Sequence, residues 1–403
     1  MAFIDREAAN RGALKACALL GGFFFAAVLG AYLYTMDWST PIPRDGTTLV
    51  IGRDFLNFWM YGRAAALPDP SRWYHVATYH RELAALLGDF YPGQNWSYPP
   101  SIMLLMAPFG RLGYLAALGT WTALGIAIFV SATARTFTDR HAFAAALCAP
   151  AAIFCLISGQ SALITAAMML GIFALLDRRP LIAGVLIGLL TVKPHLGLLF
   201  PVMLIASGRW RVFAAAAITA LALAALTAAL FGPQAWIDFV MRGLPVQNLV
   251  LSDPDAIATP FFPTLFMNLR GAGVAYQLAM AAQIAVALAA TAMVAWAFRC
   301  RANADMRHLS ALFFACSVAA VPYLLSYDTL ALALAALAML AAGDLNGRGR
   351  LLARLVYWLP LIQIVLGTLH IPGPALIAPA FALHIFLRLK KAGATAQPVL
   401  RAA

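Results

Sequence analysis

A small set of polar side chains in this 403-residue chain stands at the ends of apolar runs, and they are of types that move protons and hold anions. Asp54 opens the segment Phe55-Leu-Asn-Phe-Trp-Met-Tyr-Gly-Arg63, and Tyr98 precedes the pair Pro99-Pro100. Ser158-Gly159-Gln160-Ser161 makes one tight turn, Lys193-Pro194-His195 makes the next, and Asp328 follows Ser326-Tyr327. A single carboxylate can take the proton from an attacking hydroxyl. A cation with amide donors can stabilise an anionic leaving group such as a phosphate. Each residue also has a plainer reading. Asp is a favoured N-cap, so Asp54 could cap the helix that starts at Phe55. Lys193 could snorkel to an interface, and His195 could be a satisfied interfacial group. Gln160 could bond only the backbone of its turn, which Gly159 permits. Tyr98 suits an aromatic belt, and Asp328 could cap its own helix. Arg53 and Arg63 flank the Asp54 helix and suit lipid phosphates, of a substrate or of the bilayer.

The elements that must position these residues are apolar helices. The chain is 63% hydrophobic and 11% charged, against roughly 25% charged in a soluble domain, and its mean hydropathy is +0.82. No soluble core could hide that much apolar surface, so lipid is the solvent. The formal net charge of +12 does not signal nucleic acid, because the basic residues sit in small groups between apolar spans. Backbone groups in lipid must be satisfied within the segment, so the runs predict helices. About twelve are expected, at 13–35, 112–134, 142–157, 161–176, 180–192, 195–207, 212–231, 274–298, 308–324, 327–342, 353–369 and 373–389. Several fall short of the roughly 20 residues a span needs, above all between 142 and 207, which suits a protein that hollows a cavity into the membrane. With both termini cytoplasmic, 19 of the 28 Lys and Arg residues fall inside, and only Lys193 lies in a short outer turn. That alternation follows the positive-inside rule and predicts a multi-pass inner-membrane protein with its polar turns facing the periplasm. The first span is too long for a signal-peptide core and reads as a retained anchor. The five cysteines show neither metal-ligand spacing nor a disulfide framework.

Two outer segments are longer than turns, 36–111 and 232–273. In the first, Phe55, Phe58, Trp59, Gly62 and Ala66 share one helical face. Trp73, Val76, Leu83 and Leu87 repeat the pattern, so both stretches read as interfacial helices. There are no repeats and no separate soluble domain. Residues 1–403 form one all-α polytopic membrane unit.

The outer leaflet has no nucleotide sugars, so an activated sugar there must hang from a lipid phosphate. At this point the ordered set Gly52-Arg-Asp54-Phe-Leu-Asn-Phe-Trp59, Tyr98-Pro99-Pro100, Pro108, Gly159-Gln160, Ala183-Gly184 and Lys193-Pro194 resembles glycosyltransferase family 87. These are polyprenyl-phosphomannose-dependent mannosyltransferases with the GT-C fold, and the match runs over roughly residues 50 to 212. The resemblance implies a GT-C-type bundle with Asp54 as catalytic base. Lys193, His195, Gln160, Tyr98 and Arg53 would then bind the donor, with Asp328 and Arg63 toward the acceptor or behind these groups. It implies transfer of a hexose, most simply mannose, with inversion, to a hydroxyl of a lipid or glycan acceptor. It also implies no required metal or other cofactor, the polyprenyl-phosphate sugar being a co-substrate. The later outer turn, Tyr323-Leu-Leu-Ser-Tyr-Asp328, departs from relatives that carry a histidine there and leaves the acceptor open. The rivals are a transporter or flippase, which short broken helices also suit, and a non-catalytic assembly subunit, for which Asp54 would be dispensable.

Overall fold

The computed structural model describes residues 2–88, 91–92, 94–253, 260–343 and 345–396. Among them every regular element is a helix, and extended pairing is limited to two isolated bridges, Asp37 with Arg44 and Arg44 with Val50. Seven helices are long and apolar enough to cross a membrane: Arg6–Tyr34, Tyr114–Thr136, Arg140–Ser158, Trp210–Phe231, Tyr276–Cys300, Gly347–Thr368 and Gly373–Ala392. Shorter apolar helices fill the gaps, at Ala162–Leu175, Pro180–Val192, Pro194–Ala206, Met306–Ala320 and Ser326–Ala341. Each of the twelve expected spans falls on one of these twelve. The chain is an all-α polytopic membrane protein.

The half that carries most of the polar turns runs as α1 (Ala2–Tyr34), α2 (Phe55–Ala64), α3 (Val76–Leu87), α4 (Ser101–Gly110), α5 (Tyr114–Thr136), α6 (Arg140–Leu147), α7 (Pro150–Ser158), α8 (Ala162–Leu175), α9 (Pro180–Leu189), α10 (Pro194–Gly197), α11 (Phe200–Ala206) and α12 (Trp210–Phe231). The breaks have local causes. Asp139 caps α6, accepting from the amides of His141 and Ala142 at 2.8 and 2.9 Å. Pro150 and Pro180 sit in the first turns of α7 and α9, where their missing N–H costs nothing. Lys193 lies between a short 3-10 turn and Pro194, so a helix ends and another begins around its backbone.

The helices bury two main cores. The larger lies in the bundle and is rich in small side chains, with a cluster of phenylalanines at Phe173, Phe200, Phe298, Phe313 and Phe314. In lipid, apolar burial gives no drive between helices, so close approach and dispersion hold them. On α9, Gly184 and Gly188 face α12. A Cβ on Gly184 would come within 2.5 Å of Ala215, and one on Gly188 within 2.5 Å of Thr219.

The second core belongs to the first long connection. The pattern in α2 predicts a helix lying on a surface with one buried face. Instead Phe55, Leu56, Phe58, Trp59, Met60, Tyr61, Gly62 and Ala64 are all buried. The loop folds over α2, and α4 closes it from below, which the apolar pattern of α2 alone could not reveal. Gly62 and Gly110 make that crossing, since a Cβ on Gly62 would sit 2.1 Å from the Met106 carbonyl oxygen. In α3 the buried residues are Tyr79 and Leu83, which keeps the one-faced character expected of it. Pro108 lies inside α4, which continues to Gly110. The second connection docks on the first through Ser71, whose hydroxyl donates to Asp238 at 2.7 Å. Residues 254–259 of that connection, Pro254 among them, lie outside the described residues.

Candidate active site

Asp54 reaches its place through an unusual turn. Gly52 has φ +74° and Arg53 has φ +25°, the latter a conformation that a side-chain-bearing residue rarely adopts. The turn is held from several sides. The Asp54 amide donates to the Ser158 carbonyl at 3.0 Å, and the Tyr32 hydroxyl accepts from the Gly52 amide at 3.1 Å. Gln94 donates to the Arg53 carbonyl at 3.1 Å. The opposing turn is built to fit. Gly159 closes α7 with φ +62°, and a Cβ there would meet that of Phe55 at 2.6 Å. Trp121 donates to the Gly159 carbonyl at 3.0 Å. Backbone strain of this kind persists only where the surroundings enforce it.

Although Asp54 stands at the N-cap position of α2, its side chain caps nothing. The carboxylate points across to other helices. Its Oδ2 accepts from the Tyr327 hydroxyl at 2.8 Å and from Gln160 Nε2 at a longer 3.4 Å. The residue is half-buried among apolar neighbours. Desolvation pushes its carboxyl above the ordinary range. The Tyr327 and Gln160 hydrogen bonds and the charges of Lys193 and Arg53 oppose that rise.

Gln160 is oriented by its own turn. Its Oε1 accepts from the Ser161 amide at 3.0 Å, which turns Nε2 toward Asp54 and the Tyr98 hydroxyl, 3.2 Å away. Tyr98 in turn has its main chain fixed by buried phenols. Its amide donates to the Tyr61 oxygen at 2.8 Å, and its carbonyl accepts from Tyr74 at 2.7 Å.

A second cluster lies behind the first. Lys193 and Asp328 are both buried and pair at 2.9 Å, while His195 Nε2 stands 3.7 Å from the other oxygen of Asp328. The Lys193 ammonium also lies over the Tyr327 ring, 5.3 Å from its centroid. Its charge is therefore matched by a carboxylate from a helix more than a hundred residues away, and is not free for an incoming phosphate alone.

Tyr98 and Lys193 stand at the polar end of an apolar cavity of about 410 Å³ between α4, α5, α8, α9 and α12. Ser101, Ser161 and Thr165 add hydroxyls, and Leu105 and Leu189 on its wall are among the exposed large apolar residues.

The structure thus gathers Asp54, Tyr98, Gln160, Lys193, His195 and Asp328 in one region. The two arginines do not join them. The Arg53 guanidinium is bound by Asp45 at 2.6 Å and by Thr47 at 3.2 Å, so it pins the loop. Arg63 lies over the Trp59 ring, 4.8 Å from its centroid, at the other end of α2. Tyr327 was missed among the sequence candidates. Its only signal was its place beside Asp328 at the start of an apolar helix.

Fold and site together define a polytopic helical membrane protein with a half-buried carboxylate beside an apolar cavity that ends in hydroxyls and an ion pair. The sequence model of glycosyltransferase family 87 matches residues 96–325, more than half of the chain, and the chain belongs to that family. It is therefore a membrane glycosyltransferase, and the enzyme reading stands over the transporter and assembly-subunit readings. The match takes in Tyr98, Gln160, Lys193 and His195, whereas Asp54 lies before it and Asp328 just after. No curated protein and no solved structure matches the chain.

Proposed function

We propose that this glycosyltransferase moves a hexose, most simply mannose, from a polyprenyl-phosphate sugar to a hydroxyl of a lipid or glycan acceptor, with inversion at the anomeric carbon. The observation that carries this reading is the half-buried Asp54 carboxylate, held by Tyr327 and Gln160 and linked through Gln160 to Tyr98 at the head of the apolar cavity. The cavity suits the first isoprene units of a donor entering sideways from the bilayer. Its hydroxyls and Lys193 then meet the phosphate, and Asp328 and His195 hold Lys193 in place. Asp54 accepts the acceptor proton as the hydroxyl attacks, and polyprenyl phosphate leaves. The basic inner segments support an inner-membrane setting with cytoplasmic termini and a site facing the periplasm.

The test uses purified wild type and Asp54→Asn in detergent, each given a radiolabelled polyprenyl-phosphate sugar and a membrane lipid extract. Labelled product from wild type, with a loss of at least about a hundredfold in folded Asp54→Asn, is the expected result. Equal product from both removes Asp54 as the base. In wild type the rate rises with pH through the Asp54 pKa, because the base works deprotonated. That acid limb is expected above the ordinary aspartate value of about 3.9.

A further inference from the structure

Neighbouring residues on one short turn serve opposite sides of the site. The 3-10 turn Ser326–Thr329 is anchored by Ser326, whose amide and hydroxyl donate to the Phe261 carbonyl at 2.9 and 2.8 Å. Thr329 closes it with a 2.7 Å bond to the Ser326 carbonyl. From this fixed base Asp328 turns to Lys193, and Tyr327 turns to Asp54. Tyr327 is buried, and its ring lies under the Lys193 ammonium, so its hydroxyl has little freedom to leave Asp54.

Both donors to Asp54 use the same oxygen, Oδ2. Oδ1 receives no hydrogen bond among the described residues. We propose that Tyr327 is the positioning residue of the base: its phenol fixes Oδ2 and leaves Oδ1 as the oxygen that takes the acceptor proton. This rests on Asp54 being the base. Tyr327 does not touch the reacting atoms. It sets the rotation of the carboxylate and, by donating to its charged form, favours the deprotonated state needed for proton transfer. The other titratable groups facing Asp54 are Arg53 on its own turn, Lys193 before α10, Tyr98 before α4, Tyr91 in the loop and Tyr114 on α5. None of these donates a hydrogen bond to the carboxylate.

The experiment is a pH–rate profile of kcat/KM for full-length wild type, Tyr327→Phe and a chain carrying difluorotyrosine at 327, with a polyprenyl-phosphate sugar as donor. Loss of the phenol removes a donor to the carboxylate, so the acid limb of Tyr327→Phe is expected to move up by about 1–2 pH units. At the plateau the variant is expected to keep activity within about tenfold of wild type, with KM for the donor unchanged. A fluorinated phenol is a stronger donor and moves the limb the other way while keeping the ring. An unmoved limb in both variants overturns the positioning role even if activity falls, since that is what a merely structural tyrosine would give. Failure of the base itself is distinguishable, because Asp54→Asn would then stay active; that outcome overturns both readings.

Discussion

The loop core and the bundle core of this protein are built from different materials. Over α2 the buried side chains are large, with Trp73, Trp96, Tyr61, Tyr74 and Tyr79 among the largest that are fully covered, and the three tyrosines are hydrogen-bonded through their phenols. Tyr61 stacks on Trp96 with centroids 3.5 Å apart, and Trp73 meets Trp96 edge-on at 5.3 Å. In the bundle, alanines such as Ala142, Ala145, Ala311, Ala315 and Ala336 are fully covered, and polar side chains bond across helices at separate points. Tyr357 is one, its hydroxyl within 3.1 to 3.2 Å of the carbonyls of Cys17, Ala145 and Cys148. The difference follows from solvent. A loop facing water gains from burying large aromatic surface and must satisfy its irregular backbone with phenols and amides. Helices in lipid already satisfy their backbone and gain chiefly from close approach. The catalytic candidates lie where the two cores meet. Asp54 and Tyr98 are fixed by the first kind of packing, Lys193 and Asp328 by the second.

That contrast can be broken from either side. The largest effect is expected at the glycine crossing under α2. Gly62→Val puts a Cβ 2.1 Å from a carbonyl oxygen, so the loop cannot dock, and a loss above about 4 kcal/mol is expected. Limited proteolysis should cut the loop while the bundle stays intact. Simultaneous loss of both would show that the cores are one cooperative unit.

Next is Lys193→Met, which leaves Asp328 buried without its partner and should cost about 3–5 kcal/mol in a thermal melt. The double variant Lys193→Met/Asp328→Leu should recover most of that stability while remaining inactive. No recovery would mean that the pair matters for packing more than for charge.

Smaller is Tyr74→Phe, which removes the 2.7 Å donor to the Tyr98 carbonyl. It should cost about 1 kcal/mol of stability yet lower activity measurably, because Tyr98 loses its shortest backbone anchor and keeps only those to Tyr61. The smallest is Gly125→Ala in the bundle, where the added Cβ meets Leu163 at an ordinary 3.7 Å. A melting temperature within about 2 °C of wild type is expected; a larger drop would show the bundle to be as tightly fitted as the loop.

Much of this was legible in the chain itself. Apolar runs gave the helices, because in lipid a backbone has no other way to satisfy its polar groups. Gly159-Gln160 and Lys193-Pro194 stood out as polar turns between such runs, and the structure gathers both in one region. What stayed hidden depends on contacts far apart in sequence. The buried surroundings of α2 come from a loop folding over it, which a helical pattern does not encode. The pairing of Arg53 with Asp45 needed the turn at Gly52-Arg53, whose positive φ at arginine no propensity predicts. Tyr327 carried no signal beyond its place beside Asp328, because its contact with Asp54 bridges 273 residues.

The ion pair between Lys193 and Asp328 also has a meaning in time. The two residues are 135 positions apart, and Tyr327 is 273 from Asp54. At a synthesis rate of about 5–20 residues per second, the ribosome needs roughly 7–27 s after Lys193 to make its partner. During that interval a lysine destined for burial lacks the carboxylate it pairs with, so closing the early helices fully around it is costly. The last helices therefore do more than complete a bundle. Their arrival lets the earlier half close, and a nascent chain that stops short of residue 327 carries its carboxylate but not the hydroxyl that aims it.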